Sequence, residues 1–218
     1  MKKVFLFLLA ATSLMSCGSD DGEGETKRPS MVSIQGGNES YLFTMTYDTK
    51  GRLGTLTSTA SGAHSFTFSY NEDDKVTAVA SSGTVTDPIL FTYSPDGKLA
   101  TVTKGNSPAM VATWVDDKTL TLDNMNIVLD SKGDLTVVDG IAFTRDSGKG
   151  AFAGVKGIDA LTLLIVESPT FFFASKKPVK TFVGAGLAYI MTNTFSKGYL
   201  STSSFQAQGV PFTINVTY

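Results

Sequence analysis

Tyr47-Asp48-Thr49-Lys50-Gly51-Arg52-Leu53 decides the fold, because the same cassette recurs downstream at a fixed spacing. Tyr70-Asn71-Glu72-Asp73-Asp74-Lys75-Val76 and Tyr93-Ser94-Pro95-Asp96-Gly97-Lys98-Leu99 repeat it, and the three tyrosines stand 23 residues apart. A looser copy opens at Trp114-Val115-Asp116-Asp117-Lys118-Thr119-Leu120, and a further turn of the same kind is Leu129-Asp130-Ser131-Lys132-Gly133-Asp134-Leu135. Repetition at such a period is architecture before it is anything else. Ahead of each tyrosine the chain alternates: Tyr41, Phe43, Met45 and Tyr47 against Leu42, Thr44 and Thr46, then Phe66, Phe68 and Tyr70 against Ser65, Thr67 and Ser69. A period of two puts the aromatics on one face of a half-buried strand. Asp, Asn, Pro and Gly then reverse the chain, with Gly51 and Gly97 free to take positive φ, and Arg52-Leu53, Lys75-Val76 or Lys98-Leu99 starts the return strand. Around five such hairpins in succession predict a mainly β, antiparallel meander, closed or nearly closed into a barrel.

Outward from the repeat the pattern loosens. Between Gly157 and Pro178 the alternation fails, and Ile158 to Val166 reads as a buried strand or a short helix, which periodicity alone does not separate. Ser168 as N-cap, Pro169 at the first helical position, Lys176 and Lys177 in the last turn and Pro178 beyond predict a helix over 169–176. It would present Phe171, Phe172 and Phe173 to an apolar surface and cover one end of the barrel. Strands resume over 181–183, 187–195, 199–206 and 212–218, the last of them a candidate to close the sheet against an early strand.

The N-terminus gives an address. Met1-Lys2-Lys3, the apolar run Val4 to Ala11 and the small residues before Cys17 form the three parts of an export signal. The run is short of the ~20 residues a membrane-crossing helix needs. Leu14-Met15-Ser16-Cys17 resembles the bacterial lipobox, which implies removal of residues 1–16 and acylation of Cys17. Cys17 is the one cysteine in the chain, so no intramolecular disulfide is available. Residues 17–30, GSDDGEGETKRPS after the cysteine, hold no aromatic or aliphatic side chain and read as an acidic flexible tether. Asp20, Asp21, Glu23 and Glu25 behind the lipidated cysteine resemble the surface-export tag of Bacteroidetes lipoproteins; read without that resemblance they are a solvated linker. The body, 31–218, is one domain.

The first cassette resembles the core of a YD repeat, the tyrosine-aspartate motif of large bacterial shell toxins. Taken together, lipobox, acidic tether and tandem Tyr hairpins resemble a family of small Bacteroidetes lipoproteins with a porin-like fold. That resemblance implies an outer-membrane location and a β fold, and it implies no activity. The chain departs from the repeat after Trp114, where the tyrosine is lost, and after Gly150, where the spacing fails.

Charge and motifs narrow the function. A formal charge of -2 with 18 scattered basic residues argues against nucleic acid as a partner. His64 is the one histidine, expected exposed at a hairpin tip, with no second histidine or cysteine to hold a transition metal. Serine-histidine catalysis would need it beside an activated serine, and no Gly-x-Ser-x-Gly elbow is present. Asp48, Glu72, Asp73, Asp74, Asp96, Asp116, Asp117, Asp130 and Asp146 lie in turns, where a carboxylate caps its own backbone. Asp73-Asp74 and Asp116-Asp117 lack the calcium-loop pattern, and neither a phosphate loop nor a dinucleotide fingerprint is found. Glu167 and Asp159, flanking the apolar segment, read as helix caps.

No metal and no cofactor are expected. Tyr47, Tyr70, Tyr93 and Trp114 occupy one turn position and should form a row; facing inward they are core packing, the favoured reading, and facing water they are a platform for sugar rings or a partner protein. The expectation is a monomeric, non-catalytic envelope lipoprotein, tethered to the membrane through lipid, on the surface or periplasmic side, that binds a ligand, glycan or protein. Its rivals are a membrane-spanning barrel, which needs strands of ~9–11 residues with an apolar outward face, and a hydrolase using two acids in a barrel mouth.

Overall fold

A computed structural model describes residues 26–60, 62–184 and 186–218. The first nine strands are β1 (Met31–Gly36), β2 (Glu39–Tyr47), β3 (Leu53–Ser58), β4 (His64–Tyr70), β5 (Val76–Gly83), β6 (Ile89–Tyr93), β7 (Leu99–Lys104), β8 (Met110–Trp114) and β9 (Thr119–Leu122). Eight follow: β10 (Met125–Leu129), β11 (Leu135–Val138), β12 (Ile141–Arg145), β13 (Val179–Gly184), β14 (Leu187–Ile190), β15 (Thr192–Ser196), β16 (Tyr199–Ala207) and β17 (Val210–Thr217). Apart from β14 and β15, each strand pairs antiparallel with its sequence neighbours, and β17 returns to β1 in register from Met31↔Thr217 to Gly36↔Phe212. The sheet is thus the expected meander, rolled into a nearly closed barrel, and the final strand closes it against the first. β14 pairs with β13 and β15 with β16, with Met191 alone between these two pieces of what reads as one strand.

The cassettes are turns of one design. In the first, Gly51 N–H donates to Asp48 O at 2.9 Å, and Asp48 Oδ1 accepts from Lys50 N and Arg52 N, each at 2.9 Å. Asn71 does the same for Asp73 and Lys75, and Asp130 for Lys132 and Asp134. Gly51, Gly97 and Gly133 take φ of 79°, 81° and 81° at the same place, where Asp74 takes 59°. This is a reversal followed by a left-handed residue, which inserts one extra residue into the ladder. The register accordingly shifts between Thr46/Tyr47, Ser69/Tyr70, Thr92/Tyr93 and Val128/Leu129. Because strands alternate in direction, all these turns gather at one end of the barrel.

The 33 residues between β12 and β13, 146–178, turn into the interior. Helix α1 (Ala160–Val166) is buried at every position but Leu164, as a helix apolar on all sides must be. Asp159 is its N-cap, accepting from Thr162 N at 2.7 Å. A 3-10 turn (Ser168–Phe172) follows. Its ends reach inward-facing side chains around the circumference: Phe173 lies 5.1 Å from Phe43 of β2, Phe171 5.8 Å from Phe143 of β12, and Phe172 5.4 Å from Phe205 of β16. The segment is a plug, and with Leu56, Phe66, Leu120 and Ile214 it fills the barrel as a packed core.

Three expectations are corrected. The helix does not run over 169–176: the α-helix lies upstream, and the Phe triplet sits on a 3-10 turn whose cap, Glu167, makes no side-chain capping bond. The chain leaves helical geometry there because Asp134 captures the N–H groups of Lys176 and Lys177, at 2.7 and 2.9 Å. His64 is 2% exposed, not at the surface. Residues 27–30, assigned by composition to the tether, lie against the body: Arg28 Nε donates to Gly154 O at 3.1 Å and Pro29 is buried.

The outer face is hydroxyl-rich. Thr46 pairs with Thr55, Thr92 with Thr101 and Thr144 with Thr181 through Oγ1 contacts of 2.7, 2.7 and 2.6 Å. No helix among the described residues is long and apolar enough to cross a membrane.

Candidate functional site

The predicted row exists, and it is a ladder. Tyr47 Oη donates to Pro29 O at 2.6 Å, Tyr70 Oη to Leu53 O at 2.7 Å, Tyr93 Oη to Val76 O at 2.8 Å and Trp114 Nε1 to Leu99 O at 2.8 Å. Each aromatic therefore ties its own hairpin to the start of the previous return strand. The basic residue of that previous cassette lies over the ring: Arg52 4.4 Å from the centroid of Tyr70, Lys75 5.3 Å from Tyr93, Lys98 5.4 Å from Trp114. Arg28 stands 6.0 Å from Tyr47. The rings are half-buried and pack against the core, so the row is no flat platform facing water. Burial pushes the Tyr47, Tyr70 and Tyr93 phenols well above their ordinary range.

Further round the barrel other side chains take the same post. Arg145, at the cassette position of β12, donates through Nη2 to Leu135 O. Asn193 Nδ2 donates to Val179 O at 2.9 Å, and Tyr218 Oη to Leu200 O at 2.9 Å. One step is missing. In the fifth cassette Leu129 stands where the aromatic should be, and Asp134 stands where the base should be. A leucine has no polar tip and is smaller than a tyrosine, and Asp134 is turned to the plug.

Beside Leu129 a cavity of about 320 Å³ opens at the turn end. Tyr93, Trp114, Leu129, Ile158 and Leu161 give it apolar walls, and Asp74, Lys75, Lys98, Asp159 and Thr162 its polar groups. Asp74 is paired with Arg52 at 2.6 Å and Lys50 at 3.3 Å, and hydrogen bonds from Lys50 and Arg52 outweigh desolvation in holding its carboxyl below the usual range. Lys75 Nζ donates to Gly97 O at 2.5 Å and Lys98 Nζ lies 2.7 Å from Asp117. Of the four predicted platform residues, the structure brings Tyr93 and Trp114 to the cavity and leaves Tyr47 and Tyr70 outside it. The wall contributed by Leu129, Ile158 and Leu161 was missed. The signal for Leu129 was present, since it aligns with the tyrosines; that for the plug residues was not local.

The remaining chemical group lies deeper. His64 Nε2 is 3.0 Å from Glu167 Oε2, Ser58 Oγ donates to Glu167 Oε1 at 3.1 Å, and His64 Nδ1 donates to Gly62 O at 2.8 Å. The order is serine, carboxylate, imidazole, so the serine never meets the base that would activate it. All three are buried, Ser58 and His64 at 0% and 2% exposure. Glu167 thus pins the plug to β3 and β4 rather than capping a helix with its side chain. Lys104 Nζ adds a bond to Ile165 O at 2.7 Å, its ammonium pushed down by burial against the opposing pull of Glu167.

Among the described residues no three His, Cys, Asp or Glu side chains converge as a metal site. Cys17, Asp20, Asp21, Glu23 and Glu25 lie outside the described residues. No protein-family model matches the chain, and no curated protein matches it. Two solved structures are similar to it over 88% of its length and 98% of theirs: a porin-like protein from Bacteroides uniformis, at 12% identity and a TM-score of 0.45, and a porin-like protein from Bacteroides vulgatus, at 10% and 0.43.

Proposed function

We propose that the protein is a non-catalytic, lipid-anchored envelope protein that binds a carbohydrate unit in the ladder gap. The observation that carries this reading is the cavity beside Leu129, open where every other step of the ladder is filled. Its volume of about 320 Å³ is at the lower end of small-ligand sites. Aromatic and aliphatic walls suit the C–H face of a sugar ring, and the carboxylates and ammonium groups of the rim suit its hydroxyls.

The rival readings have less support. A glycosidase acid must hold a proton near neutral pH, whereas Asp74 is kept ionised by its basic partners and Asp159 is engaged by Thr162 N. A membrane-spanning barrel needs a continuous apolar outer band, and here threonine pairs on β2–β3, β6–β7 and β12–β13 interrupt the exposed apolar side chains such as Leu42, Leu90 and Ile190.

Trp114 is the one tryptophan, so its fluorescence reports on the cavity. Titration with hexoses, hexosamines, uronic acids and their oligomers should shift that emission saturably. Leu129→Tyr should abolish the shift while leaving the melting temperature equal or higher, because the new ring fills the gap. A folded Leu129→Tyr protein that still binds sugar, or a wild type that binds none of the panel, overturns the reading. Cleavage of chromogenic glycosides would overturn its non-catalytic part.

A further inference from the structure

At the opposite end of the barrel the β1–β2 and β16–β17 hairpins and the tip of the plug enclose a second cavity, of about 220 Å³. Its floor is a run of rings: Phe172 and Phe205 are 5.4 Å apart and stacked, Phe205 and Phe212 5.2 Å apart and stacked, and Tyr189 lies 5.6 Å from Phe205. Phe205 is buried, but Phe172, Tyr189 and Phe212, with Tyr41 on the wall, are only half-buried. Elsewhere inward rings such as Phe43, Phe66 and Phe173 are at most 1% exposed. Four incompletely covered rings around one void are apolar surface awaiting an occupant.

Charge selects the occupant. Glu39 is the one charged side chain of the wall, and no Lys or Arg among the described residues lines the cavity. Its carboxylate accepts a hydrogen bond from Tyr41 Oη, a neutral donor that leaves the negative charge uncompensated. The neighbouring faces of Tyr41 and Tyr189 are electron-rich and also favour a cation. We propose that this mouth is a second binding site, for a small hydrophobic amine. Its ring or short alkyl body would lie on the Phe172–Phe205–Phe212 stack, and its ammonium group would meet Glu39. The site shares no residue with the ladder gap and stands independently of the carbohydrate reading.

The test is calorimetric titration of the whole protein with 2-phenylethylamine, 2-phenylethanol and 3-phenylpropanoate. The amine should bind about fivefold more tightly than the alcohol, the weight of one ion pair to the exposed Glu39, and the acid should bind most weakly. Glu39→Gln should reduce the amine to the affinity of the alcohol. Ala207→Phe, which fills the cavity, should abolish binding of all three. Trp114 fluorescence, reporting on the other end, should not move. Failure of all three probes to bind overturns the site, and equal binding of all three, unaltered by Glu39→Gln, overturns its preference for a cation. If Ala207→Phe does not fold, ring-proton shifts replace it: shifts on Tyr189 and Phe212 place the amine in the mouth, and shifts elsewhere overturn the proposal.

Discussion

Tyr47, Tyr70, Tyr93 and Tyr218 hold their phenol protons where a free tyrosine would release them, because burial penalises the phenolate. The consequence for stability has a definite sign. Below about pH 10, the ordinary tyrosine value, both folded and unfolded chains carry these protons and nothing changes. Above it the unfolded chain loses protons that the folded chain keeps, so stability falls as pH rises. Alkaline titration followed by phenolate absorbance and far-ultraviolet circular dichroism should show these phenols ionising in the same step that destroys the β signal. Phenolate formation at ordinary pH with the sheet intact would mean that the ladder is loose. The second residue-scale prediction concerns the plug. Nδ1 of His64 donates to a carbonyl, and Nε2 meets Glu167 Oε2 in the core, so the imidazole and the carboxylate satisfy one another where no water reaches. Removing one partner strands the other in the core: His64→Ala and Glu167→Gln should each cost about 3–5 kcal/mol in denaturant unfolding. The joint replacement His64→Phe with Glu167→Leu should recover much of that. None of this is legible from sequence, because the partners stand 103 positions apart and an isolated histidine carries no mark of burial.

At the scale of the element, the cassette turn was legible because its requirements are local: an Asp or Asn to bond two N–H groups ahead, and a glycine where φ must be positive. The glycines are not equivalent, however. A methyl group at Gly133 meets nothing within 4 Å, so Gly133→Ala should cost only left-handed strain, about 1–2 kcal/mol. At Gly97 the same methyl lands 2.1 Å from Lys75 Nζ, and at Gly51 2.4 Å from Arg28 Nη2, cations that serve Tyr93 and Tyr47. Gly97→Ala and Gly51→Ala should therefore lower the denaturant midpoint further than Gly133→Ala, and equal losses would show that the cation–ring contacts contribute nothing. The plug was not legible in the same way. Ser168-Pro169 is a sound helix start in isolation, but Asp134, just before β11, competes for the N–H groups that would continue the helix. Tertiary contacts overrode a correct local signal.

For the whole molecule, the meander and its closing strand followed from repeated alternation, whereas the missing step became visible only when the ladder was traced round the closed barrel. Closure also fixes where the chain enters. Lys27 N–H reaches Tyr199 Oη at 3.4 Å and Arg28 reaches Gly154, so the body is held from its turn end. Cys17 lies nine residues before Thr26, a distance of at most roughly 30 Å of extended chain. With the proposed lipid on Cys17, the turn end, and with it the ladder gap, would stay within that reach of a bilayer surface. Which surface that is rests on Asp20, Asp21, Glu23 and Glu25. If these acids act as an export tag, protease added to intact cells should digest the protein, and replacing all four by Ala should protect it until the cells are lysed. Cys17→Ala should in turn release the protein from the membrane fraction. Protection of the unaltered protein on intact cells would place the domain in the periplasm, remove external glycans as ligands, and turn the search toward sugars of the envelope itself.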